Sequence, residues 1–266
     1  MAEHESMALL VAGCLGAWWW GRWHWDLLSV RTLRPATASR ALLFLAPWLG
    51  AGATFFVLRR WASFDVRDNG AYLAFYMVLG AAWVGGFVRL VAPRLGLSPR
   101  NDALERRNPA AAVAVAGLVL GLALAYAGGN IGDGPGWWVV LFCAVLSAAS
   151  FFLLWLLAET LGGLSEAVTV ERELSAGLRA AGFFLGLGAI LGRAVAGDWV
   201  SAVATVRDFA LRAWPAVPLA LLAGGVERLL RPTPVAPSYG AVGFGVLPGV
   251  IYAAAGAVVV VELGPW

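Results

Sequence analysis

The chain has 266 residues, of which 61% are hydrophobic and 13% charged, with a mean hydropathy of +0.77 and a formal net charge of +3. A soluble domain carries about 25% charged and 45–50% apolar residues, so the composition excludes an ordinary soluble globule, a disordered tail and a nucleic-acid-binding protein. All 19 basic residues are arginine. They lie in short segments between apolar runs, where the bias of cytoplasmic loops toward basic residues accounts for them.

The abundance of Ala, Gly, Arg and Pro points to a high-GC bacterial genome. Residues Met1–Ser6 are acidic through Glu3 and Glu5, whereas a secretory signal starts with a basic segment. The first apolar run therefore reads as a retained helix. About 20 apolar residues cross a hydrocarbon core, and eight such spans follow in order: Met7–Trp25, Ala41–Leu58, Ala71–Val88, Ala110–Asn130, Trp137–Ala158, Ala176–Ala196, Phe209–Val226 and Ala241–Val261. The fifth and eighth carry no charge. The seventh is interrupted by Arg212, Pro215 and Pro218. The prediction is an all-α polytopic transmembrane bundle of about eight spans, forming a single membrane domain over residues 1–266. Cys14 and Cys143 fall within apolar runs and read as small buried hydrophobes. With only His4 and His24 as histidines, no metal-ligand spacing exists, and no cofactor is implied.

Placing the N-terminus outside puts 13 of the 19 arginines in inner loops: Arg22, Arg31, Arg34 and Arg40, then Arg89, Arg94, Arg100, Arg106 and Arg107, then Arg172, Arg179, Arg228 and Arg231. Arg59, Arg60 and Arg67 dissent. Trp18, Trp19, Trp20, Trp23 and Trp25 cluster at one end of the first span, and Trp137, Trp138 and Trp199 flank later ones, as expected of rings that settle at headgroup level.

The fourth and sixth spans resemble each other. Shifted by 65 residues, Arg107 meets Arg172, Ala116–Gly117 meets Ala181–Gly182, Leu120–Gly121–Leu122 meets Leu185–Gly186–Leu187 and Gly132–Asp133 meets Gly197–Asp198, with nine identities in the 28 positions from Arg106 to Asp133. Both copies run in the same direction, so they form a tandem parallel helix-pair repeat. Gly117 and Gly121, Gly182 and Gly186, and Gly188 and Gly192 have the small-xxx-small spacing that lets helix backbones approach closely. The expected outcome is tight packing between these spans. The alternative is a path lined by exposed backbone.

The stretch Glu105-Arg106-Arg107-Asn108-Pro109-Ala110-Ala111-Ala112, the turn Gly129–Trp137, the second start Glu171–Gly177 and the end Ala196-Gly197-Asp198-Trp199 resemble the DUF350 family of bacterial membrane proteins. The resemblance covers roughly residues 72–200. It leaves residues 1–70 and 201–266 as flanking spans. The second copy departs from the pattern, with Glu173-Leu174 where Asn-Ala is expected, which questions a shared role for Asn108. The resemblance implies a helical inner-membrane protein without an established activity. Relatives encoded near phage-shock-type stress proteins and ATP-grasp enzymes imply envelope maintenance, by analogy.

Few residues carry chemistry. Five glycines in the loop Gly128–Gly136 could form an anion nest beside Asn130 and Asp133, or let Asp133 hold a cation with backbone carbonyls. The plainer reading is a tight turn in which Asp133 caps the fifth span. The middle of every proposed span lacks an ionisable side chain; Arg89, Glu159, Arg179, Arg193 and Arg212 lie about a turn from helix ends. Glu159 follows a long uncharged run and is a candidate to pair with Arg172. Arg193 and Asp198 complete the candidates at the far end of the sixth span. Glu166, Glu171 and Glu173 with Arg172 and Arg179 form a mixed-charge inner loop, either a solvated helix start or a docking surface for a cytoplasmic partner. No catalytic constellation is present. The expected function is a non-enzymatic envelope-maintenance or membrane-stress scaffold of the bacterial inner membrane, embedded in lipid and able to self-associate, with no nucleic-acid partner. A channel for an ion or small solute at the repeat interface is the second reading, and a lipid-acting enzyme the third.

Overall fold

The computed structural model describes residues 2–30, 37–231 and 240–264; Arg31 and Arg34, counted above for orientation, lie outside them. The described residues form helices α1 (Glu3–Ser29), α2 (Thr37–Trp61), α3 (Phe64–Arg67), α4 (Gly70–Leu90), α5 (Pro109–Gly128), α6 (Trp137–Gly162), α7 (Leu164–Thr169), α8 (Leu174–Val195), α9 (Ala202–Ala213), α10 (Ala216–Leu229) and α11 (Leu247–Glu262). A π-helical turn, Pro99–Glu105, precedes α5, and another, Val242–Val246, leads into α11.

Among the described residues, six helices are long and apolar enough to cross a membrane: α2, α4 with the 3₁₀ turn that follows it, α5, α6, α8, and α11 with its π turn. The predicted seventh span is not one helix. Trp214 and Pro215 break it, and α9 and α10 meet at a 45° bend, giving a seventh crossing if the pair counts as one. Proline removes a hydrogen-bond donor and crowds the preceding turn, which places the break where the sequence put Pro215. The predicted first span becomes α1, 27 residues long, which is not among those six. Its tryptophans, histidines and Arg22 hold its hydropathy down. It nonetheless runs the length of α4, from a Tyr72 hydroxyl donating to Glu5 (3.1 Å) to an Arg89–Asp26 ion pair (3.1 Å). Cys143 is buried as expected, but Cys14 is exposed on the outside of α1.

Contacts at the helix termini sort the bundle into two ends. At the arginine-rich end, α1, α4, α6 and α10 finish while α2, α5, α8 and α11 begin. At the other end lie the Gly132–Asp133 and Gly197–Asp198 turns. The bent pair joins both, because Arg212 donates to the Ala196 carbonyl (3.1 Å) at one and Glu227 meets Arg179 (2.6 Å) at the other.

The core is a row of four parallel helices, α2, α5, α8 and α11. In α5, 83% of the apolar window is buried, and in α8 72%, against 33% in α2 and 22% in α11. Glycine sets the spacing. A Cβ on Gly117 would overlap Ala181, one on Gly121 the Phe184 carbonyl, and one on Gly188 the backbone of Gly121. The next contact along repeats these positions: Gly182 against Gly249, Gly186 against the Tyr252 carbonyl, and Gly256 against the backbone of Gly186. Gly117 and Gly121 therefore pack between α5 and α8, as expected. Gly182 and Gly186 turn away from α5 and pack on α11 instead.

Candidate functional site

Four of the predicted residues gather at the Gly-Asp end. After α5 the chain turns through Gly132, at φ +101°, and after α8 through Gly197, at φ +138°, a left-handed region that favours glycine. The two turns bind each other. Asp198 Oδ1 accepts the Asp133 N–H (2.8 Å), Gly197 N–H donates to the Ile131 carbonyl (3.0 Å) and Trp199 N–H to the Asp133 carbonyl (2.8 Å). Those N–H groups are satisfied within the protein, which removes them from an anion nest. Asp133 does not cap α6 either: the cap position is Gly136, and no side chain serves it.

Asn130 is only 6% exposed. Its Nδ2 donates to the Tyr126 carbonyl (2.9 Å), and its Oδ1 has no hydrogen-bond partner among the described residues. It lines a polar cleft of about 300 Å³ together with Glu5, Asp65, Tyr72 and Asp133. Arg193, 4% exposed, donates through Nη2 to the carbonyls of Leu263 (2.9 Å) and Gly264 (2.7 Å), tying the end of α8 to the end of α11. Among the described residues no group of three His, Cys, Asp or Glu side chains is placed to hold a metal ion.

Glu159 stands apart at the arginine-rich end. It accepts the Ser165 N–H (2.6 Å) and so secures the turn into α7. It does not pair with Arg172, whose Nη2 reaches instead to the carbonyls of Arg106 (2.8 Å) and Arg107 (3.3 Å). Arg107 and Arg172, 65 positions apart, both take positive φ, +50° and +58°. A non-glycine residue rarely does so, and here both sit two residues before a helix.

The residue after each arginine differs in role. Asn108 is fully buried and caps α5, accepting the N–H groups of Ala110 (3.0 Å) and Ala111 (3.3 Å), while its Nδ2 donates to the Val168 carbonyl (2.7 Å). Its counterpart Glu173 makes no side-chain cap. It accepts from Ser175 and lies 3.5 Å from Arg179. The departure from the pattern thus exchanges a helix cap for a member of a charged cluster.

That cluster is not visible in the sequence. Arg179 is not part of a solvated loop: it is 1% exposed, as is Glu227 of α10. Arg179 Nε and Nη2 donate to the two Glu227 oxygens at 2.7 and 2.6 Å, and Nη1 donates to the Phe244 carbonyl. One guanidinium therefore joins α8, α10 and the π-helical turn that leads into α11. Glu227 falls just beyond the predicted seventh span, so no window along the chain pairs it with a residue 48 positions earlier; only its place on the inward face of α10 reveals it. Within the predicted inner loop Glu166, Val170, Glu171 and Arg172 are exposed. Arg231 bonds both Glu166 and Glu171, and these hydrogen bonds hold its guanidinium pKa above the ordinary range.

Residues 65–195 match the family described as Domain of Unknown Function (DUF350), close to the segment that carries the resemblance in the sequence. No curated protein and no solved structure matches the chain.

Proposed function

We propose that this multi-pass membrane protein with a DUF350 segment is a non-enzymatic scaffold of the bacterial inner membrane. The observation that carries the reading is the closure of its central contact. Along α5–α8, glycines bring backbone against backbone, and a Cβ at Gly117, Gly121, Gly128, Gly177, Gly188 or Gly192 would overlap the opposing main chain. A conduit needs room for its solute and polar groups to replace hydration. The centre of this interface offers neither room nor side-chain polarity.

The arginine-rich end faces the cytoplasm in this reading, the N-terminus lies outside, and α1 and the bent α9–α10 pair complete eight passes. The positive-inside rule supports that orientation. A partner docks on the exposed patch of Glu166, Val170, Glu171 and Arg172. Val170 is 68% exposed there between charged neighbours. We further infer that the helix-pair unit is repeated in tandem. The matched positive-φ arginines and the paired Gly-Asp turns support two units, and the recurrence of the α5–α8 glycine contacts in α8–α11 supports a third helix in the same series.

Flux measurements in proteoliposomes test the proposal. The expected result is no ion or small-solute flux above empty vesicles across a broad panel. Specific flux from the native protein, saturating with solute, would overturn the scaffold reading in favour of the channel.

A further inference from the structure

A second cavity lies at the arginine-rich end, away from the glycine row. It measures about 260 Å³. One wall is tryptophan, from Trp19, Trp20 and Trp23 of α1; the other is the last turn of α4 with Arg89; the floor is the π-helical turn carrying Arg100 and Asn101. Two of the tryptophans are fixed, because Trp20 Nε1 donates to the Ala81 carbonyl (2.8 Å) and Trp23 Nε1 to the Leu43 carbonyl (3.0 Å).

The electrostatics of this cavity are unbalanced. Asp26, with its side chain 4% exposed, is shared by three guanidiniums: Arg22 at 3.4 Å, Arg89 at 3.1 Å and Arg100 at 3.6 Å. Glu105 adds one further carboxylate, 2.8 Å from Arg100. On the same π-helical turn Asp102 accepts the Ser98 N–H (2.8 Å) and meets Arg106 (3.2 Å), so four guanidiniums stand against three carboxylates. Arg94, next in sequence to the cavity's Pro93, donates to the Leu90 carbonyl. Planar guanidinium forks suit a phosphate, which they can grip through two parallel N–H bonds.

We propose that this cavity binds the phosphate of an anionic glycerophospholipid. The tryptophan wall argues for a lipid rather than a free anion, since such rings mark the depth of headgroups and ester groups. So does the position, where α1 and α4 both end and the acyl chains of a bound lipid can continue along exposed apolar surface such as Leu90. Basic pockets between spans at a membrane surface are where anionic headgroups lodge. The phosphate would take up the surplus positive charge, and the partly exposed Arg100 and the exposed Asn101 would meet it first.

The test uses the full chain, purified and delipidated in neutral detergent. Native mass spectrometry compares retention of phosphatidylglycerol with phosphatidylcholine of the same acyl chains, each with and without added inorganic phosphate. The expected result is selective retention of phosphatidylglycerol, about fivefold weaker in Arg100→Gln, as the loss of one basic side chain near an anionic headgroup implies. Arg100→Gln leaves Arg22 and Arg89 on Asp26. Asn101→Asp breaks no ion pair and should abolish the preference, so folding failure of the first variant does not shelter the proposal. Arg228→Gln, an exposed arginine at the same end on α10, should bind as the native protein does. Equal retention of both lipids, equal weakening by Arg228→Gln, or full displacement by millimolar inorganic phosphate would each overturn the assignment.

Discussion

Helix α8 makes two contacts of opposite kind. Against α5 it presents Gly177, Gly188 and Gly192, and the two main chains touch with no charge between them. Against α10 it presents Arg179, whose charge is met by Glu227 in a fully buried, two-point ion pair. In a bilayer neither contact draws on the hydrophobic effect, because lipid tails are as apolar as Leu; packing and hydrogen bonding hold the helices instead. The comparison teaches that the same helix can be held by closeness on one side and by charge on the other, and that the two fail differently. Closeness tolerates no added atom. A buried pair tolerates loss of both members better than loss of one.

The largest expected effect is on the glycine side. Gly188→Leu drives a side chain into the Gly121 backbone, which neither helix can yield without separating. Overpacking a core in which side chains can shift costs about 1–3 kcal/mol, and here the obstacle is main chain, so no monodisperse folded protein is expected on gel filtration in detergent. A Gly188→Leu protein with native melting would show that the two helices are less tightly joined than their backbone contact implies.

Next comes the ion pair. Glu227→Leu leaves a buried guanidinium with only the more distant Glu173 carboxylate (3.5 Å) and should cost about 3–5 kcal/mol, read as a melting temperature lower by roughly 10 °C. Adding Arg179→Met should recover most of that loss. If the double variant melts no higher than the single one, the cluster does more than pair charge, and its third member Glu173 becomes the next target.

Asn108→Ala removes a helix cap and a bond to the α7 carbonyl. A cap is worth about 0.5–2 kcal/mol, and the burial of this one places the expected loss near the upper figure. The counterpart Glu173→Ala should leave protection at the start of α8 unchanged, since Glu173 caps nothing; hydrogen exchange at the first turns of α5 and α8 would distinguish the two.

The smallest effect sharpens the comparison from the other side. Gly52 in α2 has open space where a Cβ would go, so Gly52→Ala should stabilise by about 0.5–1 kcal/mol, the ordinary helical penalty of glycine. The same change at Gly121, against the Phe184 carbonyl, should destabilise. Equal behaviour at both sites would mean that helix propensity, not helix spacing, governs these glycines.

Much of this architecture is legible in the amino-acid order. Length, hydropathy and the long uncharged runs locate α2, α4, α5, α6, α8 and α11 to within a few residues, because a helix that must satisfy its own backbone in lipid needs a continuous apolar stretch. The shift of 65 residues pairs Arg107 with Arg172 and Gly132–Asp133 with Gly197–Asp198. The site is less legible. Asn130, Asp133, Arg193 and Asp198 do share one end of the bundle, which follows from their common place at span ends. Their partners do not follow from the sequence: Asp198 bonds a main-chain N–H, and Arg193 reaches carbonyls 70 and 71 positions away. Gly182 and Gly186 occupy a face of α8 other than the expected one, since spacing along a helix identifies a stripe but not the neighbour it meets.

The sequence by itself determined that this is a helical membrane protein, where its apolar helices run and that its central segment is of the DUF350 kind. These follow from local quantities: residue type, run length and short-range identity. Tertiary structure alone decided that α2, α5, α8 and α11 form one parallel row, that Arg179 finds Glu227, and that Trp19, Trp20 and Trp23 wall a basic cavity. Each of those depends on the rotation of a helix about its own axis. That rotation is set by which small residues allow backbones to meet, a condition that involves two distant segments at once and leaves no mark on either read alone.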